Sequence, residues 1–241
     1  KKIIKKDDRV IHLAAQSHVD ISFSKPHQTI LSNVLATENV MRACMENEAE
    51  KILIMSTDEV YGSKDKILDF NLLDPTNPYS ASKAAGDMIV NAYKHMYPDM
   101  HVNTLRSNNI AGPRQFIRNI IPRFSCLGIL GRKMTIHGSG ESRRRYLWVG
   151  DVIDALLLLA DKAEQNKVYN IGHHRSEPLM RMIGLIEDSL GKKAKIDFQP
   201  MQPGDVKDTF ADIDKSLEML NYKPITNIDI GINLFTNWIE C

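Results

Sequence analysis

Residues 55–62 read MSTDEVYG, so Thr57, Asp58 and Glu59 follow one another directly behind an apolar run. One hydroxyl and two carboxyls in succession can hold an oxygen, take a proton and give one back, which is the equipment of acid/base chemistry. Standing alone, the same triplet also suits a surface loop. A second stretch, NPYSASKAA at 77–85, places Tyr79 and Lys83 four residues apart, on one face of a helix start. An ammonium beside a phenol favours the phenolate, and would lower an ordinary tyrosine value of about 10 towards neutrality. A bare YxxxK is common, so its weight comes from position: it opens the helix after the strand that ends in Thr57.

The elements that must place these groups can be read from periodicity. Short β-branched runs alternate with longer stretches of helical spacing, the pattern of a parallel sheet with crossover helices. Expected strands are 9–15, 51–57, 101–107 and 167–172; expected helices are 29–46, 80–97, 149–163, 178–191 and 229–240. The first helix shows its spacing through Ile30, Val34, Val40, Met41 and Met45, and Gly191 is a natural glycine cap for the helix before it. The fold class is therefore α/β, a Rossmann-type doubly wound parallel sheet with a smaller C-terminal lobe. The sheet portion is expected over 1–113 and the lobe mainly over 114–241, with 167–172 returning to the sheet. In such a sheet, side chains at the carboxyl ends of strands open into the ligand crevice, and Thr57, Asp58 and Glu59 sit at such an end.

Composition narrows the field. Lys and Arg number 31 against 30 Asp and Glu among 241 residues, so no global field favours nucleic acid or an anionic membrane. Cys44, Cys126 and Cys241 are too scattered for a zinc site or a disulfide framework, and no metal is expected. No apolar stretch reaches the roughly 18 residues a membrane span needs, and KKIIKKDD lacks the apolar core of a secretory signal. A soluble, cytoplasmic protein is expected.

Taken together, HLAAQSHVD (12–20), STDEVYG (56–62), PTNPYSASKAA (75–85), RSNNIAGPRQF (106–116), IHGSGESRRRYLWVGDV (136–152), KVYNIG (167–172) and QPGDVKDTFADIDKS (202–216) resemble the extended short-chain dehydrogenase/reductases that act on nucleotide sugars. The consecutive Thr-Asp-Glu is similar to that of the nucleoside-diphosphate-glucose 4,6-dehydratases, on dTDP-glucose or UDP-glucose. The resemblance implies NAD as cofactor and a nucleotide-diphosphate sugar as substrate. It implies that Tyr79 takes the C4 hydroxyl proton with Thr57 and Lys83 in support, that Glu59 is the base at C5 and that Asp58 is the acid at the C6 hydroxyl. Ala14, Ala15, Tyr79, Lys83 and Ser107 would meet the cofactor; Ser17, His18, Asn108 and Arg144 would meet the substrate. Bidentate guanidinium contacts suit a diphosphate, though a solvated basic loop is the competing reading of Arg143, Arg144 and Arg145. A homodimer through helices 29–46 and 80–97 is also implied.

The chain departs from that pattern in one large respect. A Rossmann site needs a glycine-rich turn between its first strand and helix, and GILG (128–131) and GSG (138–140) are near misses that lack the third glycine. KKII looks like the family's first strand and KKDDRVIHLAA like the approach to its fourth. Ala111 stands where the family usually has Tyr, Ile117, Arg118 and Asn119 where it has PEK, and Gln202 where it often has Arg. A non-catalytic relative that binds a nucleotide sugar or a partner protein, or an epimerase or decarboxylase of the same superfamily, are the alternative readings. The hypothesis drawn from KKII is that a segment is missing between Ile4 and Lys5. A peptide-mass map of the parent polypeptide is expected to show extra residues there; a continuous peptide across Ile4–Lys5 rejects it.

Overall fold

In a computed structural model, which describes residues 3–62, 72–201, 208 and 211–240, the apolar runs become strands and the periodic stretches become helices. β1 (Arg9–His12), α1 (Val19–Ser24), α2 (Pro26–Glu46) and β2 (Lys51–Thr57) come first, and β2 runs straight into a 3-10 turn, Asp58–Tyr61. Next are α3 (Pro78–Met96), β3 (Val102–Ser107), β4 (Asn109–Ala111), α4 (Ile120–Ile129), β5 (Lys133–His137) and β6 (Arg143–Trp148). Then follow α5 (Val149–Lys162), β7 (Val168–Ile171), β8 (Ser176–Pro178), α6 (Leu179–Leu190), β9 (Lys195–Gln199), α7 (Asp214–Leu220) and α8 (Ile228–Glu240). They fall into two compact units: Lys1–Ser107, Ala155–Ile171 and Phe210–Tyr222 form the first, and Asn108–Asp154, Gly172–Thr209 and Lys223–Cys241 the second.

The first unit is built on a sheet of order β1-β2-β3-β7, every ladder parallel. Its register sets Thr57 beside Ser107 and Ser107 beside Ile171, which lines up three strand ends. β3 is buried at all 6 positions although it reads VNTLRS. Its polar groups are answered internally: Asn103 Oδ1 accepts from the Lys167 backbone N–H at 2.8 Å, and Arg106 is paired as described below. Met41, Cys44, Ile52, Ile54, Val90 and Val102 form the apolar core between helices and sheet.

α2 begins three residues before its expected start because Pro26, at the first helical position, fixes φ and has no N–H to leave unpaired. Its buried stripe also differs from the expected one. Thr29, Asn33, Thr37, Met41 and Cys44 face inward, while Ile30, Leu31 and Leu35 are exposed. The reason is close approach to α3: a Cβ at Gly86 would lie 3.2 Å from Thr37 Oγ1, and Asn33 Nδ2 donates to Ser82 Oγ at 2.8 Å. Small and polar residues fit such a seam where Ile or Leu would not. β1 also stops at His12 rather than 15, since its ladder with β2 ends at the His12–Ile54 pair.

Ile3 and Ile4 do not take up the strand likeness of KKII. Ile3 and Ile4 carry no regular structure, and Lys1 and Lys2 lie outside the described residues. Ile4 instead packs on the apolar core, and a turn follows in which Lys5 N–H donates to Asp8 Oδ2 at 2.8 Å and Asp7 takes φ 68°.

In the second unit β6 pairs with β4 in parallel and with β8 antiparallel, and β5 pairs with β9 in parallel. Phe124, Met134, Ile136, Met182, Ile186 and Phe235 anchor its core. α6 ends as expected, with Gly191 in the left-handed region at φ 62°.

α3 owes its start to Asn77. Its side chain accepts the Ser80 N–H at 2.9 Å, and the Ser80 hydroxyl accepts the Asn77 N–H at 3.2 Å, a reciprocal cap followed by Pro78. Asn77→Ala is expected to lower the unfolding free energy by about 1 kcal/mol, measured by urea denaturation, through loss of this cap.

Candidate active site

The end of β2 is organised by Thr57. Its Oγ1 accepts the Glu59 N–H at 3.2 Å, closing the 3-10 turn that carries Asp58 and Glu59. Asp58 is buried, at 1% exposure, with Oδ1 3.4 Å from Thr57 Oγ1. Glu59 is only partly buried, and its Oε2 accepts from Asn77 Nδ2 at 3.1 Å. Asn77 thus both caps α3 and ties its start to the acidic turn. Gly62 ends the turn at φ 73°, and the Asp74 carbonyl occupies the space a Cβ would need, so glycine is required there.

Tyr79 and Lys83 arrive on α3 as its first turns. The Tyr79 hydroxyl hydrogen-bonds Thr57, so phenol, Thr57 hydroxyl and the turn form one chain of contacts. The expected electrostatics are reversed. Although the ring keeps some solvent contact, burial pushes the Tyr79 phenol well above its ordinary range, Glu59 pushes it further, and the Thr57 hydrogen bond pulls back. The Lys83 ammonium is buried, and its Nζ donates to the Met55 carbonyl at 2.6 Å. Burial lowers its pKa and Asp87 opposes that.

The segment after β1 is held from below. Gln16 N–H donates to Asn33 Oδ1 at 2.7 Å, and Asn33 Nδ2 donates to Gln16 O at 3.0 Å. This leaves Ala14, Ala15 and Ser17 exposed and His18 partly buried, directly before α1. Ser107 is buried at the end of β3 beside Thr57.

In the second unit Asn108 is buried, and its Oδ1 accepts the His173 N–H at 3.0 Å. That oxygen lies where a Cβ on Gly172 would have to be, so residue 172 must be glycine. Arg144 stands opposite Glu177 on β6, partly exposed, with Nη1 donating to Arg143 O at 2.7 Å. Arg143 reaches Ser176 O at 2.6 Å and Arg145 reaches Asp208 Oδ1 at 3.1 Å. Ala111, where a Tyr was expected by resemblance, is part of the apolar core; Gln202 lies outside the described residues. GSG does follow a strand, β5, but leads into another strand, β6, and GILG ends α4. Neither opens a helix behind a strand, so neither can present helix N–H groups to a pyrophosphate.

The family model for GDP-mannose 4,6-dehydratase matches residues 1–235. The chain belongs to that family, within the extended short-chain dehydrogenase/reductases. A trifunctional UDP-glucose 4,6-dehydratase/epimerase/reductase of Arabidopsis thaliana is 35% identical over 239 residues, covering 96% of this chain and 36% of that protein. The dTDP-D-glucose 4,6-dehydratase of Mus musculus is 43% identical over 171 residues, covering 70% of this chain and 48% of that protein. The chain thus spans less than half the length of these two relatives. Among solved structures, DesIV, the dTDP-glucose 4,6-dehydratase of Streptomyces venezuelae with NAD and TYD bound, has TM-score 0.92 and 27% identity over 97% of this chain and 73% of its own. A UDP-glucuronic acid 4-epimerase from Bacillus cereus with NAD and a substrate analogue has TM-score 0.90, 27% identity and coverages of 97% and 75%. The Rossmann-like α/β class is thereby shown for this family member. Among the described residues no helix is long and apolar enough to cross a membrane.

Reading the sequence for reactive groups missed Asn33, Asn77, Asp87 and Gly172. Asn77 alone had a visible signal, an Asn-Pro pair at a helix start.

His12 gives this site a pH signature. It is buried beside Lys83, its Nε2 has no hydrogen-bond partner among the described residues, and burial, then the Lys83 charge, lowers its pKa from 6.5. A depressed histidine binds fewer protons folded than unfolded, so stability falls as pH drops below about 6.5. His12→Gln is expected to flatten that slope between neutral and acid pH in thermal unfolding; an unchanged slope excludes His12 as its source.

Proposed function

We propose that this chain carries the reacting residues of an NAD-dependent nucleotide-diphosphate-glucose 4,6-dehydratase, which forms the 4-keto-6-deoxy sugar. The observation that carries the reading is the placement of Thr57, which hydrogen-bonds the Tyr79 phenol and closes the turn bearing Asp58 and Glu59. Four groups of the kinds the reaction needs are thereby held at one strand end.

In this reading Tyr79 Oη takes the proton of the sugar's C4 hydroxyl while Thr57 Oγ1 holds the same oxygen. A ketone at C4 acidifies the C5 hydrogen, which Glu59 accepts. Asp58 gives a proton to the departing C6 hydroxyl. Glu59 is the more solvent-reaching carboxylate and is aimed by Asn77; Asp58 is enclosed, where water competes less for its proton transfer. NAD, when bound, supplies the acceptor and the donor of hydride.

The residues present suit the nicotinamide-ribose end of such a cofactor. Lys83 is a buried cation, Ser107 a hydroxyl at the adjacent strand end, and Ala14 and Ala15 are exposed residues with little side chain. Among the described residues no turn suits the pyrophosphate end, and no residue is assigned to it. NAD in the neighbouring structures supports the cofactor. Asn108, Ser17, His18 and Arg144 are proposed for the sugar nucleotide, Arg144 for its diphosphate. The relatives named for dTDP-glucose and UDP-glucose support a glucose nucleotide without choosing its base.

Incubation of the parent protein with NAD+ and dTDP-glucose or UDP-glucose is expected to give the 4-keto-6-deoxy product by NMR. Glu59→Gln should cut its formation by about 100-fold or more while leaving substrate binding in place. Folded, NAD-loaded protein that gives no product from either sugar rejects the dehydratase; a product inverted at C4 without loss of water selects the epimerase reading.

A further inference from the structure

Tyr79, Lys83 and Asp87 recur every four residues on α3, and the third has no part in the chemistry above. Asp87 is buried, and its Oδ2 meets Arg106 Nε at 2.8 Å, with both side chains nearly sealed from solvent at 3% and 4% exposure. The guanidinium is fixed in turn: Nη1 donates to Tyr61 Oη at 2.8 Å, its carbon lies 4.9 Å from the Tyr61 ring centre, and Tyr61 Oη donates to Asn170 Oδ1 at 2.9 Å. One carboxylate is therefore locked to α3, β3, the 3-10 turn and β7. A buried ion pair is no bargain for stability, since desolvating two charges offsets most of their attraction. Its placement one helical turn beyond Lys83 calls for another reason.

The charges around Asp87 supply one. Arg106 meets it from β3, Lys83 lies one helical turn before it on α3, and Lys94 and the phenols of Tyr61 and Tyr79 are within its field. Burial pushes the Asp87 carboxyl up, and the Arg106 and Lys83 charges pull it back. Lys83 itself faces Asp87 and His12. We propose that Asp87 is a positioning residue for Lys83, a carboxylate clamped by Arg106 so that the neighbouring ammonium stays charged inside the protein. Burial works against that charge and Asp87 opposes it, while the Met55 carbonyl fixes where the ammonium sits. The idea rests on the reading that Lys83 serves the reaction.

The test follows the lysine itself. Lys83 is titrated by NMR in protein carrying 13C at the lysine ε position, with Lys83→Met identifying its signal. In Asp87→Asn the Lys83 midpoint is expected to fall by about one pH unit or more, the size of losing a close opposite charge. Because that variant strands the buried Arg106, Asp87→Asn/Arg106→Gln is measured beside it and should show the same fall. An unchanged midpoint with lowered stability overturns the proposal, and so does loss of the fold in both variants, since either makes the pair a strut alone. Turnover separates this from the underlying reading. Wild-type-like turnover in Lys83→Met sinks the role of Lys83 in the reaction, whereas the titration decides whether Asp87 holds its charge.

Discussion

The contact on which the first unit most depends is the buried pairing of Arg106 with Asp87. Arg106 sits, buried, next to the last residue of β3. By binding Asp87 at 2.8 Å and Tyr61 at 2.8 Å it links the helix that carries Tyr79 and Lys83 to the turn that carries Asp58 and Glu59. Removing one partner leaves a buried charge unanswered, which costs several kcal/mol, more than a typical side-chain contact contributes. The arrangement of the reactive groups is thus tied to an interaction they do not share.

A second constraint is the seam between α2 and α3. Helices approach closely where side chains are small, and Thr37 against Gly86 with Asn33 against Ser82 is such a place. Asn33 also holds Gln16, so the same seam sets the segment after β1 that presents Ala14, Ala15 and Ser17. Apolar residues in these positions would hold the helices further apart and release that segment. The polar stripe on α2 is therefore explained by what it positions rather than by what it buries.

These two constraints also mark where the sequence was readable. Strand and helix existence followed from period and from β-branched content, and the strand end at Thr57 could be placed because KILIMST is continuous and apolar until its last residues. Gly191 was legible because a glycine after a periodic run has one common use. The inward face of α2 was legible only towards its C-terminal end, at Met41, since periodicity counts apolar residues and the buried positions before it are Thr29, Asn33 and Thr37. Arg106 passed as one more residue of the strand expected at 101–107, because its partner lies 19 residues away and nothing local announces it. KKII was likened to the family's first strand by resemblance, but strand pairing needs a neighbour, and Ile4 packs on the apolar core instead.

The same limit applies to the chemistry of Tyr79. Spacing put a lysine beside the phenol, and spacing cannot tell which way the ammonium turns; here it turns to the Met55 carbonyl. The largest influences on the phenol are enclosure and the Glu59 carboxylate, both of which favour the protonated form, with the Thr57 hydrogen bond opposing them. A phenol that holds its proton tightly is a weak acid, and it must give that proton up before it can accept the one on the sugar's C4 hydroxyl. Glu59 then bears on two atoms, the C5 hydrogen it is proposed to accept and the Tyr79 proton it helps to hold. Any neutralisation of Glu59 releases the phenol from part of its constraint, so the two proton transfers are coupled through charge even though the residues are joined by Thr57 rather than by each other.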